Sequence, residues 1–572
     1  MRKIIFCTFL SLSISSLFGQ VPQFSWAKSF GGSFNDDRGQ EITTDGSGNV
    51  YITGYFGAVV DFDPGSANLS FTSAGSGDSY IQKLDSQGNL IWAKHLSGTK
   101  DVSSSSIEVD DQGNVYVAGA FEGTADFDPG LAVFNLISGG GYDHFVVKLD
   151  KSGDFVWAKS VGGLAGDEGF SVKADASANV YSTGFFNGTV DFDPGTAVFN
   201  LTSTGTGNDV FVQKLDKNGN FIWAKSIAGS SEVNAFSIEY DGMDGGIYVA
   251  GNFAGTADFD PGAQIFNLTS NGSSDFYVQK LDANGDFQWA KSTGGSAYEQ
   301  ALNVNADGVG GIYITGHYSG TVDFNPNSMS YNLNSVNGIY NAFIQKLSSS
   351  GDFLWARSFG GASGAVSYGV VNDSHGNVYS IGHFSGAGDF NPGTETFDLT
   401  SNGGKDIFIH KMDSSGSFLW ATSIGAEGED YGLSIISDAN GNIYATGGYN
   451  KTVDFDPSTE VLNLTSQGGA DIYVLNMKQP TTSIRQPINN ELLNSVKIFP
   501  NPLMKGKRLN LDLGNLKHST VRIHNSNGQL VYERTNVVQQ LVNIDLKVPA
   551  GLYIISISNG NSMVQDKLVI GH

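Results

Sequence analysis

Seven tryptophans spaced 65 or 66 residues apart, an Asp-Phe-Asp-Pro or Asp-Phe-Asn-Pro motif, and a Val-Tyr or Ile-Tyr dipeptide of the same period together predict an all-β chain. The expected architecture is a seven-bladed β-propeller of four-stranded antiparallel blades, followed by a small β-sandwich. The tryptophans are Trp26, Trp92, Trp157, Trp223, Trp289, Trp355 and Trp420, each followed by alanine. The second motif begins at Asp61, Asp126, Asp191, Asp258, Asp323, Asp389 and Asp454. The third places Tyr51, Tyr116, Tyr181, Tyr248, Tyr313, Tyr379 and Tyr444. Independent markers in one register are the mark of a repeated supersecondary unit. Glycine, at 75 of 572 residues, is nearly double its usual share while proline is scarce, which suits short strands and tight turns.

The chain opens with Met1, Arg2 and Lys3, an apolar run from Ile4 to Phe18, then Gly19 and Gln20. This order of charge, apolar stretch and small residue predicts a secretory signal over 1–19. The run is shorter than a membrane-spanning helix requires, so no transmembrane segment is expected in the mature chain. The one cysteine, Cys7, falls within the leader, which leaves the mature chain without disulfides, thiolate metal sites or cysteine nucleophiles.

The propeller is assigned to 20–478. Within a unit, Asp209 to Asp216 alternates β-branched and aromatic residues with polar ones, as a half-buried strand does. Lys217-Asn-Gly-Asn220 is a turn, and Phe221 to Ser226 returns as a second strand. A turn-rich stretch leads to a third strand at Gly246 to Gly251, and a fourth is expected around Thr256 to Phe259. The ends of the array complement each other: the first unit lacks the strand that precedes Phe24 to Ser29 elsewhere, and the last unit ends with it, at Asp471 to Met477. Pairing of the two would close the ring and leave no sheet edge open.

Residues 479–495 have linker composition. From 496 to 572, seven short alternating segments in under 80 residues predict a small β-sandwich. This segment carries nine Lys or Arg against four Asp or Glu, and the leader adds two basic residues. The remainder holds 21 basic against 53 acidic residues, a balance of −32, which argues against nucleic acid as a partner.

The repeat resembles the secreted bacterial β-propeller repeats of SBBP type, through its Trp-Ala strand, the Asp-x-x-Gly-Asn turn at Asp45 to Asn49 and Asp110 to Asn114, and the strand from Val115 to Gly119. The resemblance implies an extracellular propeller and no settled chemistry. The C-terminal segment resembles the sorting domain of type IX secretion cargo in the Bacteroidetes, through Pro500-Asn501-Pro502, Gly528, Gly551-Leu552-Tyr553 and the closing Lys567 to Val569. That resemblance implies recognition by type IX machinery and a product released or attached to the outer cell surface.

Candidate chemistry is sparse. Asp61 with Asp63, and their counterparts, have the oxygen chemistry of a calcium ligand set, but an acid before Pro-Gly is also what a tight turn uses. Asn325 and Asn391 replace the second acid in two units, which favours the turn. The tryptophans are more economically core residues than sugar platforms. One position varies inside the constant frame, after the glycine of the Val-Tyr strand: Tyr55, Ala120, Phe185, Asn252, His317, His383 and Gly448. Such a ring would offer a binding site, with Tyr55, Phe185, Asn252, His317 and His383 as its candidate contacts. Marker spacing leaves no room for a large inserted loop, and no triad, zinc spacing or phosphate loop is present, so catalysis is disfavoured. The expected function is an extracellular binding or scaffold propeller for a glycan or surface protein; a polysaccharide hydrolase or lyase and a structural adhesion or surface-layer protein are the alternatives.

Overall fold

The computed structural model describes residues 22–479, apart from 34, 35, 206, 328 and 362. It also describes 497–499, 503, 508–513, 519–525, 530–538, 541–546, 548, 549, 551–558 and 563–570. The leader, nearly all of the linker and the sorting-motif residues Pro500, Asn501, Pro502 and Gly528 lie outside the described residues. The chain divides into two compact units, Met1–Gln479 and Pro480–His572.

The first unit is a β-propeller, and its one short helix among the described residues is a 3-10 turn at Val336–Gly338. Glu168–Ala174, Val180–Phe186, Asp209–Leu215 and Phe221–Gly229 show the repeating sheet, each strand antiparallel to the next. The two central strands are buried along their length because side chains on both faces meet a neighbouring sheet. The sequence expectation fails for the fourth strand. Thr256–Asp258 forms an outer hairpin with Asn267–Thr269, and this hairpin adds to the outer strand Phe221–Gly229 of the preceding sheet. The missing member of the sheet is the inner strand, exemplified by Val233–Tyr240, which occupies the stretch read as turn-rich. Its alternation is broken by a β-bulge at Phe236: Val233, Ala235 and Ile238 pack in a core between sheets while Phe236, Ser237 and Glu239 line a channel, so only one face of the strand is held to an apolar pattern.

Inner strands line this channel: Arg38–Thr44, Val102–Val109, Glu168–Ala174, Val233–Tyr240, Glu299–Ala306, Ala365–Asn372 and Tyr431–Ser437. Each lies beside the next, and Tyr431–Ser437 lies beside Arg38–Thr44, so the succession returns to its start. The contacts are sewn together by one repeat position. Ser106 Oγ accepts the amide of Val172 at 3.0 Å, Ser171 that of Ile238 at 3.2 Å and Ser237 that of Val304 at 3.2 Å. Asn303 Oδ1 does the same for Val370, Glu41 for Ile107, and Ser434 for Ile42 across the seam between the last and first inner strands. Inner-strand amides that face the next sheet would otherwise be buried without a partner. At the outer edge of the seam Gln23–Phe30 pairs antiparallel with Asp471–Lys478, with Ala27 opposite Leu475 and Phe30 opposite Ile472.

The tryptophans join neighbouring sheets. Trp157 Nε1 donates to the carbonyl of Lys217, 60 residues on, at 3.1 Å, and Trp26, Trp223 and Trp289 make the equivalent bond. The turn that receives it needs glycine twice over: Gly219 has φ of 78°, and a Cβ there would stand 3.0 Å from the Trp157 ring.

A second contact between strands buries carboxyl groups in pairs. Asp471, at 1% exposure, leaves no room for any side chain at Gly31, where a Cβ would lie 2.0 Å from its carboxyl carbon. The next residue, Gly32, donates its amide to Asp37 at 2.9 Å, and the Asp37 amide donates to Ala470. Asp143 with Asp167, Asp275 with Glu299, and Asp406 with Asp430 repeat the arrangement. In each pair one acid keeps a buried oxygen without a hydrogen-bond partner: Asp471, Asp143, Glu299 and Asp406. Burial raises these acids, Asp471 and Glu299 to about 7 and Asp37, Asp143, Asp167, Asp275 and Asp430 to about 6.

In the second unit Lys497–Phe499, Leu509–Asp512 and Leu541–Ile544 form one sheet. Ser519–Asn525, Leu530–Val537, Gly551–Ser558 and Met563–Ile570 form another. Leu509, Leu511, Val542 and Ile544 from the first meet Val521, Ile523, Ile555, Ile557 and Leu568 from the second in one apolar core.

Candidate functional site

The repeated acids resolve as turn formers. Asp61 Oδ1 accepts the amides of Asp63 and Leu69, and Asp63 Oδ1 accepts that of Gly65 at 2.7 Å. Asn391 accepts the amide of Gly393 at 2.9 Å through its own side-chain oxygen, which is why asparagine serves there equally well. Among the described residues no group of three or more His, Cys, Asp or Glu side chains comes together as a metal cage.

The channel is a cavity of about 410 Å³. The inner-strand bulge projects one residue per strand into it: Gln40, Ser105, Phe170, Phe236, Leu302, Tyr368 and Leu433. The wall is therefore polar on one arc and aromatic or aliphatic on the rest. Further along, Lys173 stands 3.2 Å from Glu108 and 3.9 Å from Glu239, with Glu41 close by. Burial raises Glu239 to about 7 and also raises Glu41, in each case against the pull of Lys173. Burial works to lower the Lys173 ammonium, but Glu108, Glu239 and Glu41 outweigh it and hold the proton firmly. Neither the bulge ring nor this charged layer was legible in the sequence, because the inner strands themselves were not.

The variable positions expected to form a ring lie at the ends of the second strands, opposite the starts of the inner strands: Tyr55 faces Arg38, Phe185 faces Glu168, Asn252 faces Asn234, His317 faces Gln300 and His383 faces Val366. They stand behind the inner strands and do not themselves line the channel. Tyr55 and Phe185 are partly exposed; Ala120, Asn252, His317, His383 and Gly448 are buried. Asn252 donates to Ser274 at 2.7 Å and is committed to the fold. Phe185 packs on Phe170, which in turn meets Phe236.

The histidines differ from the rest. His317 sits between Tyr298 and Tyr340, at ring separations of 5.9 and 4.6 Å. His383 sits between Tyr368 and Tyr431, at 5.6 and 5.1 Å. Both are 8% exposed, and the buried Nδ1 of each has no hydrogen-bond partner among the described residues. Burial pushes His317 down to about 4; burial, then Lys405 and His317, push His383 down to about 3. Both are neutral at physiological pH. Tyr431 holds Lys405 through its hydroxyl at 3.0 Å and also bonds Glu429, while Arg38 lies over its ring and 3.5 Å from Asp36. The tyrosines beside the histidines were missed in the sequence because Tyr298 and Tyr340 lie in loops, Tyr368 at a bulge and Tyr431 at the start of an inner strand, all outside the repeat markers.

Residues 497–571 match the family described as secretion system C-terminal sorting domain, and 26–55 match the β-propeller repeat family SBBP. The chain thus combines a propeller repeat with a sorting domain for type IX secretion, and belongs outside the cell or at its surface. Of the described sorting-motif positions, Gly551, Tyr553 and Lys567 fall on adjacent strands, with the Tyr553 hydroxyl donating to the Pro549 carbonyl at 2.9 Å. No helix among the described residues is long and apolar enough to cross a membrane.

An uncharacterized WD repeat-containing protein, L264, of Acanthamoeba polyphaga mimivirus is 24% identical over 74% of this chain. The regulatory protein FlaEY of Caulobacter vibrioides is 26% identical over 34% of it. The matches span 36% and 21% of those relatives. Solved structures that resemble the chain include PorZ, a surface component of the type IX secretion system of Porphyromonas gingivalis, covering 95% of this chain and 100% of that one at 11% identity and a TM-score of 0.20. A fungal alcohol oxidase in complex with copper covers 96% of this chain and 100% of its own at 12% identity and a TM-score of 0.38. Likenesses this distant carry no functional argument.

Proposed function

We propose that this chain is a closed seven-bladed propeller, exported through its C-terminal β-sandwich and presented outside the cell as a binding scaffold. Its ligand surface lies at the ends of the second strands, around His317 and His383. The closed succession of inner strands supports the ring, and the two sheets of the second unit support the sandwich. The observation that carries the binding reading is the concentration at one end of side chains the repeat does not need: two imidazoles, each with an unpartnered Nδ1, framed by Tyr298, Tyr340, Tyr368 and Tyr431. Elsewhere recurrent residues serve turns, cores and sheet junctions. Aromatic rings that carry a polar tip are the groups that recur at recognition surfaces.

The purified mature protein, probed against a broad glycan array and against outer-surface proteins with and without calcium, is expected to give a reproducible ligand that His317→Ala or His383→Ala removes. A ligand retained by both variants would refute this surface. Deletion of 497–571 is expected to leave the propeller folded but unexported, and normal export of the truncated chain would refute the sorting role.

A further inference from the structure

The channel carries a second feature that the seven-fold frame does not require, independent of His317 and His383, which stand behind the inner strands. Its cavity of about 410 Å³ is lined by two kinds of side chain at two levels. At the bulge level five consecutive inner strands present Phe170, Phe236, Leu302, Tyr368 and Leu433, all partly exposed, and the Phe170 and Phe236 rings lie 5.5 Å apart. Gln40 and Ser105 hold the same position in the other two strands, so the fold itself does not demand an apolar residue there. Apolar surface turned into a cavity is surface that a ligand gains by covering.

The charge of the lining is one-sided. Three acids, Glu41, Glu168 and Glu239, line the cavity against one base, Lys173, a balance of −2. Lys173 lies closer to Glu108, at 3.2 Å, than to Glu239, at 3.9 Å, and Glu41 already accepts the Ile107 amide at 2.6 Å. Glu239 is therefore the deep carboxylate that the protein matches least, and its side chain is 17% exposed, to the channel. Lys173 approaches it from the preceding inner strand; the following inner strand lines the cavity at that level with the uncharged Asn305. A carboxylate without a matched cation in an enclosed, partly apolar space is costly, and burial raises Glu239 to about 7 against the pull of Lys173. Phe236 and Glu239 are three residues apart on one strand, ~10 Å along it, so the apolar belt and the open carboxylate are two ends of one slender site.

We infer that the channel binds a small organic cation, an ammonium carried on an apolar stem, with the stem against Phe170 and Phe236 and the ammonium at Glu239 on its Asn305 side. Pockets of ~300–1,000 Å³ take small molecules, and at about 410 Å³ the cavity is in that range and too small for a folded protein segment. The aromatic faces of the belt favour a cation as well as an apolar group. A neutral ligand of the same shape would leave Glu239 unmatched, and an anion would add to a lining that is already negative.

The test is calorimetric titration of the full mature protein at pH 8, above the value of Glu239, with phenylbutylamine, phenylbutanol and phenylbutyrate, which share one stem and differ in charge. The amine is expected to bind, the alcohol to bind about tenfold or more weakly, and the carboxylate to give no heat. Glu239→Gln is expected to abolish the preference for the amine over the alcohol, Phe236→Ala to weaken both, and His383→Ala to change neither, which separates this site from the surface proposed above. Thermal midpoints establish that each variant is folded; if Phe236→Ala is not, Glu239→Gln decides alone. Absence of amine binding, or equal binding of amine and alcohol by the unaltered protein, overturns the ligand class. Amine binding that Glu239→Gln leaves undiminished overturns the site.

Discussion

Replacing Asp471 by asparagine is expected to stabilise the propeller in mild alkali and to leave it little changed in mild acid. Asp471 is 1% exposed, shares its site with Asp37, and keeps one oxygen without a partner while the other accepts the Gln467 amide at 3.1 Å. Burial lifts its carboxyl from 3.8 to about 7. An acid whose folded value is raised binds its proton more tightly in the native state than in the unfolded chain. Stability is then lost as pH rises from the unfolded value, and the loss is complete above the folded one. Three units correspond to at most ~4 kcal/mol, shared between the two acids because the pair titrates together. Asparagine has the same shape, keeps the bond from Gln467, and places an uncharged amide where the orphaned oxygen stands. Urea unfolding followed by tryptophan fluorescence between pH 5 and 9 measures the difference directly, since acids elsewhere contribute equally to both proteins. A midpoint for Asp471→Asn that exceeds wild type increasingly from pH 5 to 8 supports a carboxyl raised by burial. A loss of stability that is equal at both ends would refute it, because the carboxylate would then be ionised and serving a bound partner.

Gly219→Ala places a Cβ at φ 78° and 3.0 Å from the Trp157 ring, and should lower the urea midpoint by the equivalent of ~1–3 kcal/mol; a neutral substitution would show that the turn yields. Lys173→Met leaves Glu108, Glu239 and Glu41 facing one another in the channel, a loss of ~3 kcal/mol at pH 8. Because Glu239 is raised to about 7, it takes up a proton in mild acid and the penalty should shrink by pH 5.5; thermal melts at the two pH values will decide, and a penalty that grows in acid would refute the charge arrangement.

How far the sequence reaches can be seen strand by strand. The Trp-Ala strand and the strand before it are legible because each alternates between two packed faces, and their turns depend on glycine at positive φ, as at Gly219. The strands of the second unit are legible for the same reason, each of the seven alternating segments falling on one of them. The inner strand is not. Val233–Tyr240 carries a bulge that breaks its period at Phe236, and the channel it faces imposes no apolar pattern. The Thr256–Asp258 segment read as a sheet member is captured by a hairpin, because its partner Asn267–Thr269 lies closer in the chain than any inner strand.

The candidate site divides in the same way. His317 and His383 stand out in the sequence as departures from a constant frame, and periodicity alone assigns them to one level of the ring. Their burial, their neutrality and their unpartnered Nδ1 atoms depend on Tyr298, Tyr340, Tyr368 and Tyr431, which reach them from other loops and strands. The paired acids Asp37 and Asp471 are 434 residues apart, and only closure of the ring sets one beside the other. Local pattern determined the repeat, its turns and the sorting segment, since each is written within a few residues of chain. The channel wall, the buried acid pairs and the framing of the histidines are long-range juxtapositions, and packing between sheets decided them.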